Sequence, residues 1–370
     1  MADRTATTLR STLLRWTAFV PMLGALLLAL TWGRSISYVV VILVALVLAA
    51  SVLAAVHHAE VVPHRVGEPF GSLVLAVAVT VIEVGLIVTL MTSGSEGAAT
   101  LARDTVFAAV MITLNGIVGL VLLIGAFRFN IPRFNAEGTG TALATVATLA
   151  TLTLVLPTFT TSRPGPEFSA AQLAFAAVAS LVLYGFFVFT QTGRHRDFFL
   201  PLTSDGTVVA EEEHADPPTT RHAVTSLVLL LVALVAVVGL AKVESPAIEE
   251  GVDALGFPPS FVGVVIALLV LLPETLAAAR AARRDRVQTG FNLAVGSAMA
   301  SIGLTIPAIA VASIWLEGPL VLGLSPSQIV LLAVTFLVVI LTVVPGRATR
   351  QEGVVHLVLL AAFLFLAVNP

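Results

Sequence analysis

The chain has no cysteine. Disulfides, thiolate metal ligands and cysteine nucleophiles are therefore excluded. Lysine is nearly absent too: of nineteen basic residues only Lys242 is one, the rest being arginine. Charged side chains make up 11% of the 370 residues, well below the roughly 25% of soluble domains. The net charge of −3 gives no basic footprint for nucleic acid. Two tyrosines and three tryptophans are too few for a cofactor or base-stacking argument. No G-x-x-x-x-G-K-[ST] stretch and no large polar segment supports ATP drive. H-E-x-x-H, which an intramembrane metalloprotease requires, is absent. A deep Ser–His pair is not visible either, because His356 falls near the end of an apolar run.

What the chain does have is long apolar runs, with 58% of its residues hydrophobic. A membrane span needs about 20 such residues. Eleven stretches qualify: 13–31, 36–56, 70–91, 105–127, 141–158, 170–190, 223–241, 257–279, 289–313, 329–344 and 354–368. Arg4, Arg10 and Arg15 before the first run imitate a signal peptide. That run is too long for an h-region and lacks a clear small-x-small cleavage site, so it is read as a span. The sequence thus predicts an all-α polytopic membrane protein of about eleven transmembrane helices. Its setting is the lipid bilayer of a bacterial cytoplasmic (inner) membrane. The sequence leaves its oligomeric state open and implies no nucleic-acid partner.

Positive charge orients the spans. With the N-terminus inside, the tail and the loops at 57–69, 128–140, 191–222, 280–288 and 345–353 carry fifteen arginines, against Arg34, Arg103, Arg163 and Lys242 on the other side. Cytoplasmic segments are enriched in Lys and Arg, which puts the N-terminus in the cytoplasm and the C-terminus outside. Arg280, Arg283, Arg284 and Arg286 read as determinants of this topology.

The polar segment 191–222 divides the chain. Residues 1–35 form a tail and first helix, 36–190 a first five-helix repeat, 191–222 an acidic cytoplasmic linker and 223–370 a second five-helix repeat. Five spans is an odd number, so homologous halves insert in opposite senses, which is the inverted-repeat plan of many secondary transporters.

Two charges sit deep in these spans, Glu83 and Glu274. A carboxylate at the bilayer centre costs about 2.5–3.5 kcal/mol to insert on translocon scales. Each lies past the middle of the second span of its half, one span running outward and the other inward. Aligning them also superposes Phe70 on Phe261 and Ala76 on Ala267. The following spans carry Thr113, Asn115, Gly116 and Gly119 in one half and Gly296, Ser297, Ser301, Gly303, Thr305 and Pro307 in the other. Pro273 is expected to kink its helix, and the glycines, Gly85 included, permit close approach or unwinding that exposes carbonyls. Carboxylates, hydroxyls, an amide and carbonyls form an all-oxygen set, as hard cations such as Ca²⁺ require. Burial favours the protonated acid and a bound cation the ionised one, so protons and cation compete for the same oxygens. That competition is the core of a proton/cation antiporter, with Glu83 and Glu274 as metal-binding and proton-coupling groups.

Weaker features lie outside this set. His57, Glu60 and His64 have helical spacing, and with His58 they form a polar cluster suited to metal binding, to pH sensing or simply to ending a helix at the interface. Glu68 stands at the mouth of the Glu83 span. The run from Glu211 to Asp216 and the outer loop with Glu244, Glu249, Glu250 and Asp253 can gather cations or be merely solvated.

Residues 67–88, GEPFGSLVLAVAVTVIEVGLIV, resemble the first alpha-repeat of the calcium/cation antiporter superfamily. Residues 256–309, GFPPSFVGVVIALLVLLPETLAAARAARRDRVQTGFNLAVGSAMASIGLTIPAI, resemble the second. The resemblance extends over nearly the whole chain and is strongest to bacterial calcium/proton exchangers that also handle sodium or potassium. It implies a transporter rather than an enzyme, no cofactor, and Ca²⁺ (alternatively Na⁺ or K⁺) and H⁺ as the ions moved. It also implies that Glu83 and Glu274 carry cation and proton, with Asn115 and the 296–301 region completing the site. Thr80, Val81 and Ile82 stand where the family often has proline and small or amide residues, and Ala300 where it often has glutamine. Both departures remove oxygen ligands. A membrane scaffold or intramembrane enzyme is the alternative of another class.

Overall fold

The computed structural model describes residues 2–61, 70–92, 97–193, 195–200, 202, 219–316 and 318–370. They form eleven helices: α1 Ala2–Thr31, α2 Tyr38–Val61, α3 Phe70–Met91, α4 Leu101–Phe129, α5 Ala136–Phe159, α6 Ala170–Thr192, α7 Thr220–Ala254, α8 Phe261–Ala282, α9 Val287–Ala312, α10 Pro326–Val343 and α11 Arg350–Val368. Hydrocarbon offers backbone groups no partner, so a spanning chain satisfies them internally as helix. Nine of the eleven are long and apolar enough to cross a membrane, and α1 and α3 contain the shorter apolar stretches Trp16–Thr31 and Ala76–Met91. This is the all-α polytopic architecture expected. Among the described residues extended pairing is confined to two isolated bridges.

Local sequence sets many helix starts. Ser169, Ser325 and Thr349 form capping boxes with Gln172, Gln328 and Glu352, and Asn135 accepts from the amides of Glu137 and Gly138. Each such cap contributes about 1 kcal/mol. One expectation is corrected. Glu244, Glu249, Glu250 and Asp253 are not in a loop, because α7 continues through Pro246 to Ala254. Pro246 removes one backbone donor, and the helix runs on past it through glutamates, which are good helix formers. α8 is helical from Phe261 to Ala282 with Pro273 inside it. The interruptions lie elsewhere: π-helical turns at Ile112–Ile117 in α4 and Thr151–Val155 in α5, and a break at Leu304 in α9.

The helices fall into two compact units. The first comprises Met1–Ser93 and Ala215–Gly251, that is α1, α2, α3 and most of α7. Within it α2 packs against α1 and α3, and α7 meets α1 where Gly239 abuts Leu28. The second comprises Gly94–His214 and Val252–Pro370. In it α4 is the most buried span, flanked by α8, α9 and α11.

Loops of the second unit meet in two groups. Phe134 N donates to Gly346 O (3.0 Å) and Ala348 N to Pro132 O (3.2 Å). Beside them Asn135 N reaches Gln288 Oε1 (2.6 Å), and Asn292 Nδ2 reaches Phe199 O (2.7 Å). The other group joins Val321 N to Ala99 O, Gly323 N to Pro166 O, and Leu324 N to Leu154 O. The first group gathers segments assigned by charge to the cytoplasm, the second those assigned outside.

Candidate functional site

In the first unit Glu83 is 3% exposed on α3, and it has polar interactions there. Gly85, two residues further along the same helix, lets α7 approach: a Cβ on it would stand 2.5 Å from Val238 Cγ2. Thr80, one turn before Glu83, donates to Ala76 O at 2.8 Å, so its hydroxyl is engaged with its own helix. The histidine pair lies at the end of α2. His58 is buried, its Nε2 3.0 Å from Thr17 O, and its ring meets that of half-buried His57 edge to face. His58 thus pins α2 to α1. Glu60 is exposed at the last turn. His64, Glu68 and the acidic run from Glu211 to Asp216 lie outside the described residues. No group of three His, Asp or Glu able to hold a metal ion is present among the described residues.

The second unit is built around the π turn of α4. Thr113 Oγ1 bonds Ala109 O (2.8 Å) and Val110 O (3.0 Å) one turn back, and Thr153 does the same to Leu149 O (2.8 Å) in the π turn of α5. Such back-bonding competes with the regular ladder. π turns are frequent at functional sites, and this one is bordered by α8, α9, α10 and α11 together. Elements carrying Glu274, Gly296, Ser297 and Ser301 therefore converge on the turn carrying Thr113 and Asn115.

The side chains divide more sharply than their helices. Glu274 is half-buried on α8 and engaged in polar interactions. Gly296 and Ser297 lie on a half-exposed stretch of α9, and a Cβ at Gly296 would meet open space. Ser301 is buried and has a polar interaction. Asn115 is 0% exposed, and its amide is committed toward α10 and α11. Nδ2 donates to Thr335 Oγ1 at 2.9 Å, and Oδ1 lies 3.3 Å from His356 Nδ1. The Thr113 hydroxyl is likewise spent on its own helix.

His356 is the residue that sequence reasoning missed. The apolar run 354–368 places this histidine near its edge. The Thr349–Glu352 capping box starts α11 earlier, at Arg350, and His356 is fully buried. Its Nε2 lies 3.1 Å from Thr342 Oγ1. The Asn115 Oδ1 acceptor fixes the ring proton on Nδ1, so Nε2 accepts from Thr342. The available signal was an ionisable side chain in the sequence Val354-Val355-His356-Leu357-Val358.

Known proteins locate this architecture. A sequence model described as sodium/calcium exchanger protein matches residues 36–193 and 225–369. A protein of Sinorhizobium fredii named putative ionic transporter y4hA is 43% identical over 362 residues, covering 96% of both chains. The sodium-potassium/proton antiporter ChaA of Escherichia coli is 33% identical over 344 residues, covering 92% of this chain and 93% of its own. Among solved structures, the H⁺/Ca²⁺ exchanger CAX superposes with a TM-score of 0.71 at 17% identity, over 96% of this chain and 88% of that one. The last likeness is one of fold. With the family match spanning both halves and the relatives matching nearly end to end, the chain belongs to the sodium/calcium exchanger family.

Proposed function

We propose that the chain is a secondary antiporter that exchanges cytoplasmic Ca²⁺ for protons across a bacterial inner membrane by alternating access. Glu83 and Glu274 are the groups that bind cation and proton in turn. The observation that carries the reading is the pair itself: two intramembrane glutamates at matching positions in oppositely running spans of a cation-exchanger chain. An intramembrane carboxylate marks an ion pathway by default. Each exchanges between a protonated neutral form and a cation-bound ionised form, so one ion leaves as the other arrives. Gly296, Ser297 and Ser301 on α9 supply further oxygen around Glu274, while Thr113 and Asn115 contribute through the π turn's backbone rather than their side chains. The N-terminus faces the cytoplasm and the C-terminus the outside.

A second reading, Na⁺ or K⁺ in place of or beside Ca²⁺, is favoured by two observations. The relative at 33% identity is named a sodium-potassium/proton antiporter. And Ala300 and the Thr80–Ile82 stretch offer few of the six to eight oxygens that Ca²⁺ takes. Everted membrane vesicles with a pH-sensitive dye test both. Dequenching on adding Ca²⁺ supports the first reading, a response to Na⁺ or K⁺ alone moves the assignment to the second, and silence to all three defeats antiport.

A further inference from the structure

We propose that His356 is a positioning residue of the transport cycle: from α11 it holds the π turn of α4 through Asn115, and so fixes the side of that turn bordered by α8 and α9. The proposal rests on the antiport reading, in which α8 and α9 carry the cation-binding oxygens of this unit.

A π turn leaves the backbone ladder irregular, and an irregular turn inside a membrane protein needs partners for its displaced groups. His356 braces this one through the Asn115 side chain, its Nδ1 donating to Oδ1 (3.3 Å). Asn115 Nδ2 is then taken by Thr335 Oγ1 (2.9 Å), which itself points at Met111 Sδ (3.6 Å). Thr342 Oγ1 (3.1 Å) closes the far side of the imidazole. The ring is therefore bonded at both nitrogens, and its Cβ packs against α4 where a Cβ on Gly119 would stand 3.0 Å away. From α4 the ring meets Asn115 and from α10 Thr342, while α8, which carries Glu274, also packs against α11. The charge that acts on it is Glu352, one turn earlier on α11, itself held by Thr349 in the capping box. An apolar residue at 356 would leave Asn115 Oδ1 of the turn, and Thr342 Oγ1 beyond it, without this partner. A buried amide oxygen without its partner is costly, and the turn then shifts relative to α8 and α9, which border it.

The test is cation-driven proton movement in proteoliposomes of the purified full chain, titrated with Ca²⁺, Na⁺ and K⁺ separately. Three variants are compared with wild type, each checked for folding by size-exclusion profile and thermal melting. His356→Asn keeps an N–H on the Asn115 side and should hold the half-saturating cation concentration within about twofold. His356→Leu should raise it by about tenfold or more, with a smaller change in maximal rate. Should His356→Leu fail to fold, Thr342→Val, which removes only the outer partner of the ring, should raise it by about threefold. A folded His356→Leu with wild-type half-saturation overturns the proposal. So does His356→Asn with a displaced pH profile, since the ring's proton rather than its hydrogen bonds would then be in use. If the wild type moves no protons with any of the three cations, the antiport reading falls and takes the proposal with it. An active wild type beside an unaltered His356→Leu sinks the proposal alone.

Discussion

Gly85 of α3 and Val238 of α7 are in contact so close that no side chain fits between them: a Cβ on Gly85 would lie 2.5 Å from Val238 Cγ2 and 3.4 Å from Cγ1. The same helix carries Glu83 two residues earlier, so the contact governs where that carboxylate stands. Valine has little freedom to turn away at χ1. Gly85→Ala should therefore destabilise the protein by about 1–3 kcal/mol through overpacking. Val238→Ala in the same chain should restore most of it, the coupling showing as non-additivity in thermal melts of the solubilised protein. Additive effects would mean the helices can separate freely.

Glu83→Gln and Glu274→Gln test the exchange carboxylates. Each keeps the size and hydrogen-bonding capacity of a protonated glutamate but cannot ionise. Both variants should fold and both should lose cation-driven proton movement in everted vesicles by about a hundredfold or more. A scaffold would tolerate either change, and retained activity in one of them would remove that residue from the mechanism.

Asn115 and Thr335 form a buried pair between α4 and α10. Thr335→Val strands the Asn115 amide and should cost about 1–3 kcal/mol. Asn115→Leu together with Thr335→Val should cost less than the two singles summed, because the second change removes a group already orphaned by the first. Chemical unfolding of the purified protein measures this cycle.

The absence of cysteine makes the wild type its own background for labelling. With the topology proposed, Ile131→Cys should react with an impermeant maleimide only from the cytoplasmic side and Ser162→Cys only from outside. Both positions are exposed in loops of the second unit. A reporter fused after Pro370 should be active outside. Labelling of both cysteines from one side would contradict the span count, and a cytoplasmic reporter would contradict the orientation.

Much of the fold was legible because a bilayer imposes a simple code. Twenty apolar residues in a bilayer must be helix, so the eleven helices of the described residues follow from the apolar runs, and the arginine distribution supplies the proposed alternation. The α7 extension was not legible that way, because a polar, glutamate-rich helix beyond the membrane has the same composition as a loop. The candidate site divides along the same line. Glu83 and Glu274 stand out locally, as charges where none are expected. Asn115 stood out too, but as a free amide, and the structure shows both ends of that amide taken.

The sequence by itself determined that this is an all-α membrane chain with two carboxylates inside apolar runs, since hydropathy and charge are properties of each segment alone. Only the tertiary structure decided the π turn's surroundings, the commitment of Asn115 and the burial of His356. The partners of Asn115 lie 220 and 241 residues away. Which group satisfies a buried amide depends on which helices pack together, and no local pattern carries that information.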